Sequence, residues 1–316
     1  MIAMNSLLVI GSINMDLVYS LERIPNPGES LPSTDFLVAP GGKGANQAFV
    51  ASKLGNKVKF IGSVGNDIWG NKLKDLLIDN DIELDLKTSS ANTGTAVIML
   101  EKNGENRIIV NNGANDDLKP EDIKEKLTEK KLENHSIILI QLEIPIETVE
   151  YIIRKANKAN IPVIVDAGPS KKCDLKIFDG VKILSPNESE LSFLLNKEFN
   201  SLEDIKKGLI KLKNKSGAQN IVMKLGKKGS LLYNGNYFKK FEPYDVETKD
   251  TTGAGDGFTA ALASSLLNQL NIEDSIKYAN AVGALMVEKK GVYNSMPTNK
   301  EVKDFLRGFS AKARKQ

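Results

Sequence analysis

Short apolar, β-rich runs alternate along this chain with longer amphipathic segments, and that alternation leaves few folds open. The β-rich runs are Leu7–Ile10, Val58–Ile61, Ile137–Ile140, Val163–Val165, Val181–Leu184 and Ile221–Leu225. Between several of them, Ile68–Ile78, Glu147–Ala159 and Leu202–Leu212 repeat apolar residues at helical spacing. Strand and helix in turn predict βαβ units, with apolar strands buried between helices on both sides. The expected fold is therefore a three-layer α/β/α arrangement with a mostly parallel central sheet. Ligands of such sheets sit beyond the carboxyl ends of the strands. A length of 316 residues suits one large domain over residues 1–316 with an appendage.

Two regions break the alternation, about 16–40 and 93–112. In the second, Thr95-Ala96-Val97-Ile98-Met99-Leu100 and Arg107-Ile108-Ile109-Val110 flank the turn Asn103-Gly104-Glu105. Both regions read as hairpins outside the main sheet. They are expected to form a small β lid beside the ligand cleft, closing over it or pairing with a second subunit through an apolar outer face. Two ordinary surface hairpins are the alternative.

Composition narrows the classes of function. With 41% hydrophobic and 26% charged residues, the chain has enough apolar surface to fold without staples. A single cysteine, Cys173, excludes an intrachain disulfide, and with one histidine, His135, no Cys/His zinc set is possible. The opening MIAMNSLLVIGSINMD lacks a basic leader, and no later stretch is long enough to cross a bilayer. A soluble, cytoplasmic protein is expected. The 43 basic and 40 acidic residues, net +3, are interspersed, as in Lys119–Lys131. Nucleic acid and membrane are thus not expected partners. Lys312, Arg314 and Lys315 read as a solvated terminus, His135 as an exposed loop residue, and Cys173 as an incidental thiol.

The chemistry gathers in glycine-rich turns. Asp250-Thr251-Thr252-Gly253-Ala254-Gly255-Asp256-Gly257 precedes the helical run Phe258–Leu267. Free N–H groups of a first helical turn, with the positive end of the dipole behind them, suit a phosphate or its transition state. A carboxylate at Asp256 can take a proton from an attacking hydroxyl. Anion hole and base together describe phosphoryl transfer, although a glycine-rich helix cap with an ordinary first-turn acid would look the same. A second glycine-rich turn, Gly41-Gly42-Lys43-Gly44-Ala45-Asn46-Gln47, supplies donors for a polyol. Asn14 and Asp16 follow the first strand, where a buried acid could accept neighbouring hydroxyls. Neither glycine-rich loop completes Gly-x-Gly-x-x-Gly after the first strand, which argues against a nicotinamide oxidoreductase.

Taken in order, Gly11-Ser12-Ile13-Asn14-Met15-Asp16, Gly41–Gln47, Asn112-Gly113-Ala114-Asn115, Gln141-Leu142-Glu143, Pro186-Asn187-Glu188 and Asp250–Asp256 resemble the phosphofructokinase-B, or ribokinase-like, family of carbohydrate kinases. The likeness spans nearly the whole chain. It implies ATP-dependent phosphorylation of a small sugar, D-ribose at its 5-hydroxyl, with Asp256 as general base and Gly253, Ala254 and Gly255 as the anion hole. It also implies that Asn14, Asp16, Gly42, Lys43, Asn46 and Glu143 bind the sugar. Asn187, Lys224, Leu225, Gly226, Lys227, Lys228, Gly229, Gly255 and Asn280 would bind ATP, and Glu190 would serve Mg²⁺ and phosphate. Asp250, Thr252, Met286, Lys289, Gly291 and Ser295 would hold an activating K⁺, largely through backbone carbonyls. A homodimer through the β lid is the implied assembly.

Three departures stand out. Asp166-Ala167-Gly168-Pro169 replaces the frequent Asn-Pro-Ala-Pro and bears on the cleft floor. Tyr293-Asn294 replaces Gln-Pro between two cation-site residues. Lys224 replaces a small hydroxyl residue at the start of the nucleotide loop. Kinases for 2-deoxyribose, fructose or adenosine share the scaffold, as would a non-catalytic sugar-sensing protein.

Overall fold

The computed structural model describes residues 6–102 and 105–313. Among the described residues, nine strands form one sheet in the order Phe238–Phe241, Ser230–Tyr233, Ile221–Lys224, Ile183–Ser185, Val163–Asp166, Ile137–Ile140, Ser6–Ile10, Lys57–Ile61 and Ile82–Leu84. The last seven run parallel, and the first two add an antiparallel hairpin at one edge. Every expected strand is present. The strand expected at Val181–Leu184 starts two residues later, at Ile183.

Each strand serves two cores because successive side chains leave opposite faces. Leu7, Val9, Ile164, Ile183 and Val222 pack on one side, with Phe49, Ala260 and Val282 from helices Lys43–Lys53, Ala254–Leu267 and Ile272–Val287. Leu8, Ile10, Ile138, Ile140 and Val165 pack on the other, with Ile152 and Leu209 from helices Ile146–Lys158 and Leu202–Ser216. This is the three-layer α/β/α arrangement. Helix Leu202–Ser216 shows how local sequence sets its bounds: Ser201 caps its start by accepting from Asp204 N, and Gly217 ends it at φ 69°.

The two irregular regions build a separate four-stranded sheet in the order Asp35–Gly41, Asn14–Leu21, Gly94–Glu101 and Asn106–Asn111. Its outer pairs are antiparallel hairpins, and a parallel ladder from Asn14↔Gly94 to Leu21↔Glu101 joins them. Asn14 also pairs with Gly41, so the sheet grows directly out of the sugar-side motifs. Of the expected turn, Asn103 and Gly104 lie outside the described residues, as do Met1–Asn5, Arg314 and Lys315.

His135 departs from the expectation of full exposure. It is half-buried, with Nδ1 2.8 Å from Ser6 Oγ, because Ser136 N bonds Ser6 O and draws the loop onto the central strand. Among the described residues no helix is long and apolar enough to cross a membrane.

Candidate active site

Two glycine-led helices meet at one carboxylate. Helix Ala254–Leu267 opens at Gly253, whose φ of 74° suits glycine and whose added Cβ would lie 2.5 Å from Val292 Cγ1. Asp256 stands in its first turn, 5% exposed. Helix Lys43–Lys53 opens at Gly42, φ 85°, pressed against the backbone of Ile13 and Asn14. Lys43, Asn46 and Gln47 lie at i, i+3 and i+4, on one face of that helix. All three reach Asp256: Asn46 Nδ2 and Gln47 Nε2 donate to it at 3.1 Å each, and Lys43 Nζ stands 3.4 Å away. Asn46 Oδ1, buried, has no hydrogen-bond partner among the described residues. A hydroxyl donor from a ligand would satisfy it.

The residues expected to bind the sugar converge on the same place. Glu143 Oε2 accepts Lys43 N at 2.8 Å and a short bond from Ser12 Oγ. Burial pushes the Glu143 carboxyl up against the opposing pull of Lys43. Asp16 is pushed up to about 7 by burial, reinforced by Glu143 and Asp256. Asn14 Oδ1 accepts from Asn115 Nδ2 at 2.7 Å, while Asn115 also bonds Ile13 N at 2.9 Å and Asn112 O at 3.0 Å. Asn115 therefore aims Asn14. Its motif is visible in the sequence, but this positioning role is not.

Beyond Asp256 and Lys43 opens a cavity of about 880 Å³. Its wall carries Asn187, Glu190, Lys224, Gly226, Lys227 and Gly229, with Tyr244, Phe258 and Val287 as apolar surface. Asn187 and Glu190 form a reciprocal capping box: Asn187 Oδ1 accepts Glu190 N at 2.8 Å, and Glu190 Oε2 accepts Asn187 N at 2.7 Å. Asn280 lines the cavity with a buried Nδ2 that has no partner among the described residues. That donor suits an acceptor on a ligand. Leu225 and Lys228, expected to bind ATP, face a neighbouring cavity of about 910 Å³ instead.

Below these groups lies Asp166, which the sequence marks as a departure bearing on the cleft floor without revealing its partners. Asp166, fully buried, ends the strand Val163–Asp166. It accepts Lys224 Nζ at 2.8 Å, Gln47 Nε2 at 2.9 Å and Gly168 N at 3.2 Å, and Lys43 Nζ lies 3.7 Å away. Burial opposes its charge, yet Lys224 and Lys43 hold its carboxyl below the ordinary range. Burial works against the charge of Lys43 too, but Asp166, Asp256, Glu190 and Glu143 hold it well above the ordinary lysine range. The thiol of Cys173 is pushed up by burial, away from nucleophilic chemistry.

The expected cation-site segments also meet. Asp250 Oδ1 accepts Thr252 N at 2.9 Å and its Oδ2 accepts Gly291 N at 3.0 Å, tying the two loops together. Asp250 N reaches Val287 O beside Met286, Lys289 N bonds Met286 O at 3.4 Å, and Ser295 N bonds Gly291 O at 3.2 Å. Tyr293 is anchored away from these loops, its hydroxyl 3.0 Å from Asn80 Oδ1 and its ring edge-on to Phe49.

A carboxylate, an anion-binding helix start, a polyol-sized set of donors and acceptors and an adjoining large cavity define a phosphoryl-transfer site on an open α/β sheet. The model of the pfkB family of carbohydrate kinases matches residues 4–299. Ribokinase of Bacillus subtilis is 36% identical over 305 residues, covering 96% of this chain and all of that protein. A deoxyribokinase of Salmonella typhi is 31% identical over 304 residues, 94% of this chain and 97% of that one. The solved structure of Arabidopsis thaliana ribokinase complexed with ribose and ATP superposes with a TM-score of 0.88 at 35% identity, over 95% of this chain and 98% of that one. The chain belongs to the pfkB family of carbohydrate kinases.

Proposed function

We propose that this chain transfers the γ-phosphoryl group of Mg-ATP to the 5-hydroxyl of D-ribose, giving ribose 5-phosphate and ADP. The observation that carries this reading is Asp256, held by Asn46, Gln47 and Lys43 between the Asn14, Asp16 and Glu143 cluster and the cavity lined by Asn187, Glu190, Lys224 and Asn280. In the reaction Asp256 takes the proton of the 5-hydroxyl as its oxygen forms a bond to the γ-phosphorus. The bond from that phosphorus to the β-bridging oxygen breaks and ADP leaves. The first-turn amides of Gly253, Ala254 and Gly255 face the moving negative charge. Mg²⁺ bound with the triphosphate would neutralise its charge, and Glu190, which lines the cavity, would be the acid to hold it.

The likeness to ribokinases supports ribose as the acceptor, and the likeness to a deoxyribokinase makes 2-deoxyribose the second reading. Residues 1–316 act as one kinase domain, with 16–40 and 93–112 as its lid. K⁺ would sit among Asp250, Thr252, Met286, Lys289, Gly291 and Ser295, beside Gly253, where it would steady the anion hole. ADP release from Mg-ATP, measured with D-ribose, 2-deoxyribose, fructose and adenosine and with or without K⁺, tests all of this. Ribose-dependent release is expected. Preference for another acceptor would keep the mechanism and change the substrate, and no release with any acceptor would sink the catalytic reading.

A further inference from the structure

Lys224 and Asp166 form a buried ion pair inside the site, 2.8 Å apart, with side-chain exposures of 10% and 0%. Such a pair returns its desolvation cost only with good geometry and further hydrogen bonds. Here Asp166 has both, from Gln47, Thr259 and Gly168. The same acid stands 3.7 Å from Lys43 Nζ. One carboxylate thus lies between two ammonium groups, and the trio retains a positive charge. Both ammonium groups face the place where phosphate must move. Lys43 is 3.4 Å from Asp256 Oδ1. Lys224 lines the cavity together with Ala254 and Gly255, and a Cβ placed on Gly255 would lie 3.9 Å from Lys224 Nζ. Glu190 Oε2 is 3.9 Å from the same nitrogen.

We propose that Lys224 is a second catalytic lysine, contacting a non-bridging oxygen of the γ-phosphoryl group from the nucleotide side while Lys43 stands beside the attacking hydroxyl. Asp166 touches no reactant and is the positioning residue that holds both ammonium groups at the anion helix. A lysine is a compact point charge with rotatable donors, so it follows the phosphoryl group as charge spreads over its equatorial oxygens. This inference rests on the proposed transfer from ATP.

The test compares Lys224→Met with the double variant Asp166→Asn/Lys224→Thr, which removes both charges and leaves two groups able to hydrogen-bond. Affinities for ATP and ADP are measured by calorimetry without sugar, kcat and KM with ribose, and folding by thermal melting. In Lys224→Met, ATP binding should weaken about tenfold more than ADP binding, since only ATP carries the contacted phosphoryl group. Its kcat should fall about a hundredfold with ribose KM little changed. The double variant should melt near the parent temperature yet keep the low kcat. Recovery of kcat together with melting temperature in the double variant would overturn the proposal, because the pair would then serve folding alone. Equal losses of ATP and ADP affinity would overturn it as well. Failure of the parent protein to phosphorylate ribose counts against the sugar reading, while the ATP-to-ADP comparison, made without sugar, still decides the role of Lys224.

Discussion

Asp256 and Asp16 are carboxylates a few side chains apart, and the structure sets them different tasks. Asp256 accepts from two amides and lies beside an ammonium group, an environment that Asn cannot exploit as a base. Asp256→Asn is expected to lower kcat by about 10³-fold or more while circular dichroism and melting stay near the parent. Asp16 is raised from an ordinary 3.8 to about 7, so between those values the folded protein holds a proton that the unfolded chain has released. The sign follows: stability is highest below the lower value, falls as pH rises to the upper one, and is level above it. Asp16→Asn should therefore raise stability by about 4 kcal/mol at pH 8 in urea melts and leave it nearly unchanged at the acid end. Ribose hydroxyls donate best to the ionised acid, so binding runs the other way. Ribose affinity in calorimetry should be about tenfold weaker at pH 6 than at pH 8, and Asp16→Asn should flatten that difference. A flat profile in the parent protein would contradict the role of Asp16.

At the scale of elements, Gly253 joins the helix Ala254–Leu267 to the loop that starts at Asp250. Its φ of 74°, and the 2.5 Å that would separate an added Cβ from Val292 Cγ1, leave no room for alanine. Gly253→Ala should lower the melting temperature and cut kcat about a hundredfold. Adding Val292→Ala should recover part of the melting temperature and little of kcat, because the backbone strain remains. The same elements show what sequence reveals and what it hides. Gly253–Asp256, Gly42–Gln47 and Asn14–Asp16 are legible because glycine-rich turns before helices announce themselves locally. Six of the seven parallel strands are legible because they are short apolar runs, several with helical segments between them; the seventh, Ile82–Leu84, is not, because three residues with an exposed Glu83 leave no apolar run. The antiparallel pair Ser230–Tyr233 and Phe238–Phe241 is not, since Lys239 and Lys240 are exposed and its turn is polar, leaving little apolar pattern. The Asp166–Lys224 pair is hidden for another reason. Its members lie 58 positions apart and end strands that lie two apart in the sheet, so they meet only because the long Lys224 side chain reaches across the end of Ile183–Ser185, an order no local pattern encodes. His135 likewise looks like a polar loop residue until the bond from Ser136 to the first strand is known.

At the scale of the whole molecule, one face of the small sheet carries, among the described residues, an uncovered row of apolar side chains. Leu37 from one hairpin is 49% exposed, and Ile108 and Val110 from the other, on the same face by register, are 51% and 53% exposed. A parallel ladder holds the two hairpins in a single sheet, so these side chains move as a unit. Pairing with a second copy would bury them and brace the lid over the sugar. In a twofold interface each substitution acts twice, and a lysine in place of a buried Leu or Ile costs about 2 kcal/mol per site. Leu37→Lys/Ile108→Lys, two positions on one face, should therefore weaken association by several orders of magnitude, giving a monomer mass in light scattering where the parent is expected to give a dimer. Because Asn14 roots the small sheet beside Asp16 and Gly41, and these are the proposed sugar contacts and lid, the monomeric variant should show a raised KM for ribose with the KM for ATP nearly unchanged. A monomeric parent at working concentration would rule out the dimer, and an unchanged ribose KM in the variant would separate assembly from the lid.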